Sequence, residues 1–293
     1  MRRSILIIFI AVVCAACQPD RSFVSTETVV PSRGIQIPAT FVHPVSQSGG
    51  KVPLVVMAHG HGGTRDEVGG FTRVAEELSK NGIASIRVDF SGCGESTESF
   101  TENVLTNMLA DIRASREFAI GNSRIESGRI GVLGYSMGGR LAMLATQEDQ
   151  YSAVALWTPV ASNGIESLIG FIGGQQAYET MKSEAGRAGF AVIETPWGDV
   201  QHLSLRWFAD LEDSKPLSAI RHFDGALLVL YGNKDDAIDP RFSKLVVSTA
   251  VDSHPLTEHV VDGAGHGLGF YDDNAAMSAE VVTTTIRFFT EHL

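Results

Sequence analysis

Apolar positions along this chain follow two spacings. Short strand-like runs fall at Val52 to Ala58, Ile83 to Phe90, Ile130 to Leu133, Ala153 to Trp157, Ala226 to Tyr231 and Glu258 to Val261. The run Val-Pro-Leu-Val-Val-Met-Ala has no polar residue, as expected of a strand covered on both faces of a parallel sheet. Between these runs the spacing becomes helical. Phe71, Val74, Ala75 and Leu78 mark one helix, closed by Asn81-Gly82. Further helices are predicted from Asn103 to Ala119, Arg140 to Thr146, Arg241 to about Ala250 and about Asn274 to Glu291. Ahead of them, Thr26 to Val30 and Ile35 to Val42 flank Pro31-Ser32-Arg33-Gly34, a hairpin signal. Strands that alternate with helices predict an α/β fold with a mostly parallel central sheet and helices on both faces.

Residues 159 to about 221 break this rhythm. They carry Phe171, Tyr178, Phe190, Trp197, Trp207 and Phe208 but no clear strand. A structureless loop of that size is implausible in a compact domain. The segment is expected to form a partly helical cap inserted over the mouth of the sheet; ordinary surface helices are the alternative. Ser46-Gln47-Ser48-Gly49-Gly50 reads as a loop between strands.

Composition narrows the classes. At 293 residues, with 44% hydrophobic and 19% charged residues, the chain has enough material for one large core. A net charge of −11 argues against nucleic acid as a partner. Only three cysteines are present, and Cys93 alone lies in the body, so a disulfide framework is excluded there. No Cys/His spacing resembles a zinc site, and no metal is expected.

Chemistry gathers just past the carboxyl ends of the strands, where ligands bind in open α/β sheets. Gly134-Tyr135-Ser136-Met137-Gly138 sits between a strand and a helix, a G-x-S-x-G turn that presents Ser136 at its tip. The backbone N–H of Met137 would lie at a helix N-terminus, where it can stabilise a developing oxyanion. A serine hydroxyl needs a base within hydrogen-bond reach, and the base needs an acid to fix its tautomer. His266, in the glycine-flanked loop after the last strand, is the base expected here. Asp235 is the favoured acid, because Ile238 follows it by three; Asp236 and Asp239 read as turn or helix-start carboxylates. His59-Gly60-His61-Gly62-Gly63 ends the third core strand, and its glycines let the chain approach a substrate oxygen closely. His59 is expected to buttress that loop by hydrogen bonding, and a metal at His61 is the weaker alternative. Asp89 and Ser96 of the loop after the next strand read as structural, and Cys93 as a small residue packed in a turn.

Taken together, these motifs resemble the α/β-hydrolase superfamily from Val52 to Leu293, apart from the cap. Within it, His59-Gly60-His61, the stretch from Ile83 to Ser96 and Gly134-Tyr135-Ser136-Met137-Gly138-Gly139 look like bacterial carboxylesterases of the cinnamoyl/feruloyl esterase type. The order Ser136, Asp235, His266 is the triad order of that superfamily. The resemblance implies cleavage of a small-molecule carboxylic ester through an acyl-enzyme, without a cofactor. It also implies that the backbone N–H groups of His61 and Met137 form the oxyanion hole. A peptidase, thioesterase or acyltransferase of the same fold is the alternative, and a catalytically silent binding protein a more distant one. Oligomeric state is not legible.

The N-terminus points to export. Met1-Arg2-Arg3 precedes an apolar run from Ile5 to Val13, too short for a comfortable membrane span, and then Cys14-Ala15-Ala16-Cys17. Ala15-Ala16-Cys17 resembles the lipobox of bacterial lipoproteins, with Cys14 where leucine is usual. The expected division is a signal and lipobox over 1–17, a tether over 18–25 and the hydrolase domain over 26–293 with its cap. The chain would then be a membrane-anchored lipoprotein through Cys17, or else periplasmic or secreted after plain signal cleavage. Mass spectrometry of the mature protein is expected to find a lipid-modified N-terminal Cys17; an unmodified residue after Cys17 excludes the anchor.

Overall fold

The computed structural model describes residues 23–45, 50–195 and 198–293. The export segment, Cys17, most of the tether, nearly all of the 46–50 loop and Trp197 lie outside the described residues. In chain order the elements are β1 (Phe23–Ser32), β2 (Ile35–Pro44), β3 (Val52–Ala58), α1 (Gly70–Lys80), β4 (Ala84–Val88), α2 (Leu105–Ile120), β5 (Ile125–Tyr135), α3 (Met137–Ala145) and β6 (Ala153–Trp157). There follow α4 (Gln175–Ala188), β7 (Phe190–Glu194), β8 (Val200–Ser204), α5 (Leu205–Asp213), α6 (Pro216–Ile220), β9 (Ala226–Gly232), α7 (Arg241–Thr249), β10 (Leu256–Val261) and α8 (Ala275–His292).

Eight strands form one sheet in the order β1-β2-β4-β3-β5-β6-β9-β10. The hairpin β1–β2 is antiparallel and joins β4 antiparallel; every other pairing in the sheet is parallel. The pleat sends alternate residues to opposite faces, which divides the core in two. Leu54, Val56 and Ala58 of β3 enter one layer with Met108 and Ile112 of α2, Leu141 of α3 and Phe242 of α7. Val55 and Met57 enter the other with Phe71 and Leu78 of α1 and Val281 and Phe289 of α8. Burying each large side chain stabilises the fold by about 1.5–3 kcal/mol, which is why a run with no polar residue belongs at the sheet's centre.

The hairpin turns on Arg33 and Gly34, both with positive φ (52° and 82°), the conformation of a two-residue type I′ turn. Arginine is unfavourable there. Its guanidinium is held by Asp111 at 2.8 Å and Glu98 at 2.7 Å, which compensates.

Between β6 and β9 the chain forms the cap. It contains α4, α5 and α6, as expected of a partly helical segment, but also an antiparallel pair, β7–β8. This corrects the expectation of no clear strand: β7 is only five residues long, with Ala191 its one fully buried position, and β8, equally short, turns Gln201, 3% exposed, inward. Arg140 of α3, fully buried, ties both ends of the cap to the body. It donates to Val160 O at 3.2 Å on one side and to Leu211 O at 3.4 Å and Ser214 Oγ at 2.8 Å on the other.

The tightest point of the fold is the turn from β5 into α3. Ser136 has φ 54° and ψ −112°, a conformation that non-glycine residues rarely adopt. It is pinned on both sides: its N–H donates to Trp157 O at 2.9 Å, and its carbonyl accepts from Val160 N at 3.0 Å and Gly139 N at 3.0 Å. A β-carbon on Gly134 would stand 2.1 Å from Gly138 O, and one on Gly138 would stand 1.9 Å from Ala58 O. Gly134 is therefore a steric requirement of the turn from β5 into α3, and Gly138 of the crossing between α3 and β3. Gly138→Ala is expected to cost at least about 1–3 kcal/mol in urea unfolding, as overpacking does, because the clash is with backbone that cannot rotate away. Gly128→Ala, where nothing lies within 4 Å, is expected to be near neutral; equal stabilities would contradict this reading of the turn.

Candidate active site

Three side chains expected to converge do so. Ser136 leaves the end of β5, Asp235 follows β9 and His266 follows β10. His266 Nε2 lies 3.0 Å from Ser136 Oγ, and His266 Nδ1 lies 2.8 Å from Asp235 Oδ2. An ionised carboxylate only accepts, so Nδ1 carries the proton and Nε2 offers its lone pair to the serine hydroxyl. Asp235 is 8% exposed. Its Oδ1 accepts from Ala237 N at 3.0 Å and Ile238 N at 2.8 Å, and Oδ2 also accepts from the Thr158 hydroxyl. Burial alone would raise its pKa, but the His266 hydrogen bond and charge, Thr158 and the Ile238 N–H outweigh it and hold the carboxyl below its ordinary value. Asp236, next along the chain, is exposed and bonds none of these groups. The spacing to Ile238 that favoured Asp235 has a physical basis: the Ile238 N–H is what the carboxylate caps.

Beyond Ser136 lies a cavity of ≈ 640 Å³. His61 and Met137 both line it, together with Ser136 and His266. Met137 is the first residue of α3, so its N–H has no partner within the helix. The His61 ring turns away toward the cap. Its Nε2–H donates to Gln201 Oε1 at 2.7 Å, and the ring sits among Phe100, Trp207 and Phe171 at 5.4, 5.8 and 6.5 Å. Burial pushes its pKa down to about 4, so it stays neutral. No cluster of three or more His, Cys, Asp or Glu able to hold a metal ion occurs among the described residues.

His59 braces the same loop. Its Nδ1–H donates to Gly60 O at 2.8 Å and its Nε2 accepts from Phe90 N at 3.1 Å, which links the ends of β3 and β4. Asp89 organises the next loop by accepting from Arg65 N at 2.8 Å and Glu95 N at 2.9 Å. A β-carbon on Gly94 would fall 2.3 Å from that carboxylate. Cys93 is buried and its thiol is pushed up to about 12 by desolvation, so it is not a reactive thiolate.

Sequence reasoning missed Thr158, Gln201, Tyr271 and Glu67. Thr158 directly follows Trp157 of β6, a strand-end position that could have flagged it. Gln201 and Tyr271 have no pattern of their own, since tertiary folding brings them in. Glu67 stands in a polar loop with no pattern to single it out, yet it is 3% exposed and faces the cavity.

Solved structures share this architecture. Est1E from Butyrivibrio proteoclasticus, determined with ferulic acid bound, has 19% identity and a TM-score of 0.70 over 90% of this chain and 98% of its own. The esterase domain of a Rhodothermus marinus protein has 19% identity and a TM-score of 0.64 over 90% of this chain and 99% of that one. At these identities the likeness is one of fold. An uncharacterized protein of Mycobacterium tuberculosis is 25% identical over 245 residues, 83% of this chain and 72% of its own length. The model of the alpha/beta hydrolase family matches residues 55–280, most of the chain. With its sheet, its turn at Ser136 and that match, the chain belongs to the alpha/beta hydrolase family.

Proposed function

We propose that this hydrolase is a serine carboxylesterase acting on a small-molecule ester through an acyl-enzyme. The observation that carries the proposal is the hydrogen-bonded chain from Ser136 Oγ through His266 to Asp235 at the mouth of the cavity. In this reading Ser136 Oγ attacks the ester carbonyl carbon while His266 Nε2 takes the hydroxyl proton. The carbonyl oxygen becomes an oxyanion held by the N–H groups of His61 and Met137, each worth on the order of 10²–10³ in rate. The C–O bond to the alcohol breaks, His266 gives the leaving oxygen its proton, and the acyl group stays on Ser136. Water then attacks the acyl-enzyme with His266 as base, releasing the acid and restoring the hydroxyl. Asp235, charged and capped by backbone N–H groups, keeps the imidazole in the working tautomer throughout.

The walls favour an apolar or aromatic ester. Phe171, Tyr135 and Tyr271 line the cavity, and Est1E, similar in fold, binds ferulic acid. Glu67, Asp199 and Asp236 also line it, with no Lys or Arg among the described lining residues. Esters that carry a free carboxylate would be repelled. Export and lipid anchoring through Cys17 rest on the N-terminal segment alone.

A panel of p-nitrophenyl and feruloyl esters tests the reading. Wild type is expected to turn over neutral esters faster than carboxylate-bearing ones. Ser136→Ala is expected to lose on the order of 10⁴-fold or more in kcat. Asp235→Asn should lose about 10²–10⁴-fold by disturbing the tautomer, and Asp236→Asn should stay close to wild type. Activity that survives Ser136→Ala, or an Asp236 effect larger than the Asp235 effect, contradicts the assignment.

A further inference from the structure

Glu67 takes no part in the reaction just described, yet it lies where the site's two loops meet. Its Oε2 accepts the Gly60 N–H at 2.8 Å, and its Oε1 accepts the Tyr271 hydroxyl. Gly60 directly precedes His61; Tyr271 lies in the loop that carries His266. Tyr271 stacks on Tyr135 at 6.3 Å, and the Tyr135 hydroxyl donates to His266 O at 3.3 Å. A continuous path of contacts therefore runs from the 59–63 loop through Glu67 and two tyrosines to the backbone of His266.

The fold goes against ordinary preference to place this carboxylate. Glu67 and Val68 both have positive φ, 45° and 50°, followed by Gly69 at 77°. Such conformations are strained for residues with a β-carbon and persist where the surroundings enforce them. The result inverts polarity: the acid is 3% exposed while the adjacent Val68 is 57% exposed. The loop also packs on the carboxylate itself, since a β-carbon on Gly63 would stand 2.9 Å from Glu67 Oε2.

We propose that Glu67 is a positioning residue whose carboxylate ties the loop bearing the His61 N–H to the loop bearing His266, keeping oxyanion donor and base in register across the cavity. This rests on the esterase reading of the site. The ionisable groups facing Glu67 are Tyr271 and His266 from the loop after β10, Tyr135 from the end of β5 and Cys93 from the loop after β4. Burial raises the pKa of Tyr135, Tyr271 and Cys93, so they stay neutral around pH 7. Burial also pushes the Glu67 carboxyl up to about 7, against the pull of Tyr271, the Gly60 N–H and His266. The sign of the linkage follows. Between an ordinary 4.5 and about 7 the folded chain holds a proton that the unfolded chain has released. Stability from this group is thus complete below the ordinary value and falls as pH rises through about 7.

The test compares wild type, Glu67→Gln and Glu67→Ala in steady-state kinetics on a neutral p-nitrophenyl ester and in thermal midpoint against pH. Glu67→Ala is expected to lose roughly 10- to 100-fold in kcat with KM little changed, the scale of a misplaced reacting group. Glu67→Gln should recover most of that loss, because its amide oxygen can accept from Gly60 and its NH₂ can donate to Tyr271. It should also flatten the fall in thermal midpoint expected of wild type from about pH 4.5 to 7. A wild-type kcat in Glu67→Ala, an equal loss in both variants, or a pH–stability curve unchanged by Glu67→Gln overturns the proposal. If the alanine variant does not fold, the glutamine variant and the stability curve decide. Ser136→Ala in the same assay separates the failures. If it is inactive while Glu67→Ala is unimpaired, only this inference falls; if it is active, the esterase reading falls and takes the inference with it.

Discussion

A serine held at positive φ between two glycines is the constraint on which the rest of this structure depends. Ser136 can stay in that conformation only because its backbone is bonded to Trp157 and Val160 and because Gly138 lets α3 pass against Ala58 O. The strain is of order 1–3 kcal/mol, small beside the two packed layers that enforce it. The same contact fixes where the hydroxyl points and where the first free N–H of α3 lies. Position and polarity at this turn thus come from sheet packing rather than from any feature of the serine itself.

Electrostatics at the site follow from how deeply each group is buried. His59 and His61 are driven neutral by desolvation and act as hydrogen-bonding struts. Asp235 is buried too, yet it keeps its charge because four donors surround it. Glu67 has two donors and a pKa near neutrality. At Asp235 the donors and the His266 charge outweigh burial, whereas at Glu67 burial outweighs its donors: Asp235 remains an anion beside His266, while the Glu67 carboxyl is pushed up to about 7.

Much of this was legible in the chain. Val52 to Ala58, Ala153 to Trp157 and Ala226 to Tyr231 read as strands because burial on both faces removes polar residues. Ser136, Asp235 and His266 could be picked out because each follows the carboxyl end of a strand and two stand among glycines. What was hidden depended on contacts across the fold. β7 escaped although it carries the run Phe190-Ala191-Val192-Ile193, because four apolar residues alone do not separate a strand from a helix turn; β8 escaped because Gln201 and His202 interrupt any apolar run. The start of β5 at Ile125 was masked by the exposed stretch from Ser127 to Arg129. Glu67 escaped because local sequence gives no sign that a loop glutamate will be turned inward by two left-handed residues. His61 lines the cavity, but its tie to Gln201, 140 positions along the chain, could not be read from its own loop.

The central claim is that His266, oriented by Asp235, makes the Ser136 hydroxyl an attacking group. Its most direct test is reaction of the folded protein with a fluorophosphonate, followed by peptide mass spectrometry. The account predicts one adduct, on the peptide containing Ser136, formed far more slowly in His266→Ala. No adduct, an adduct on another residue, or labelling that does not depend on His266 would contradict it.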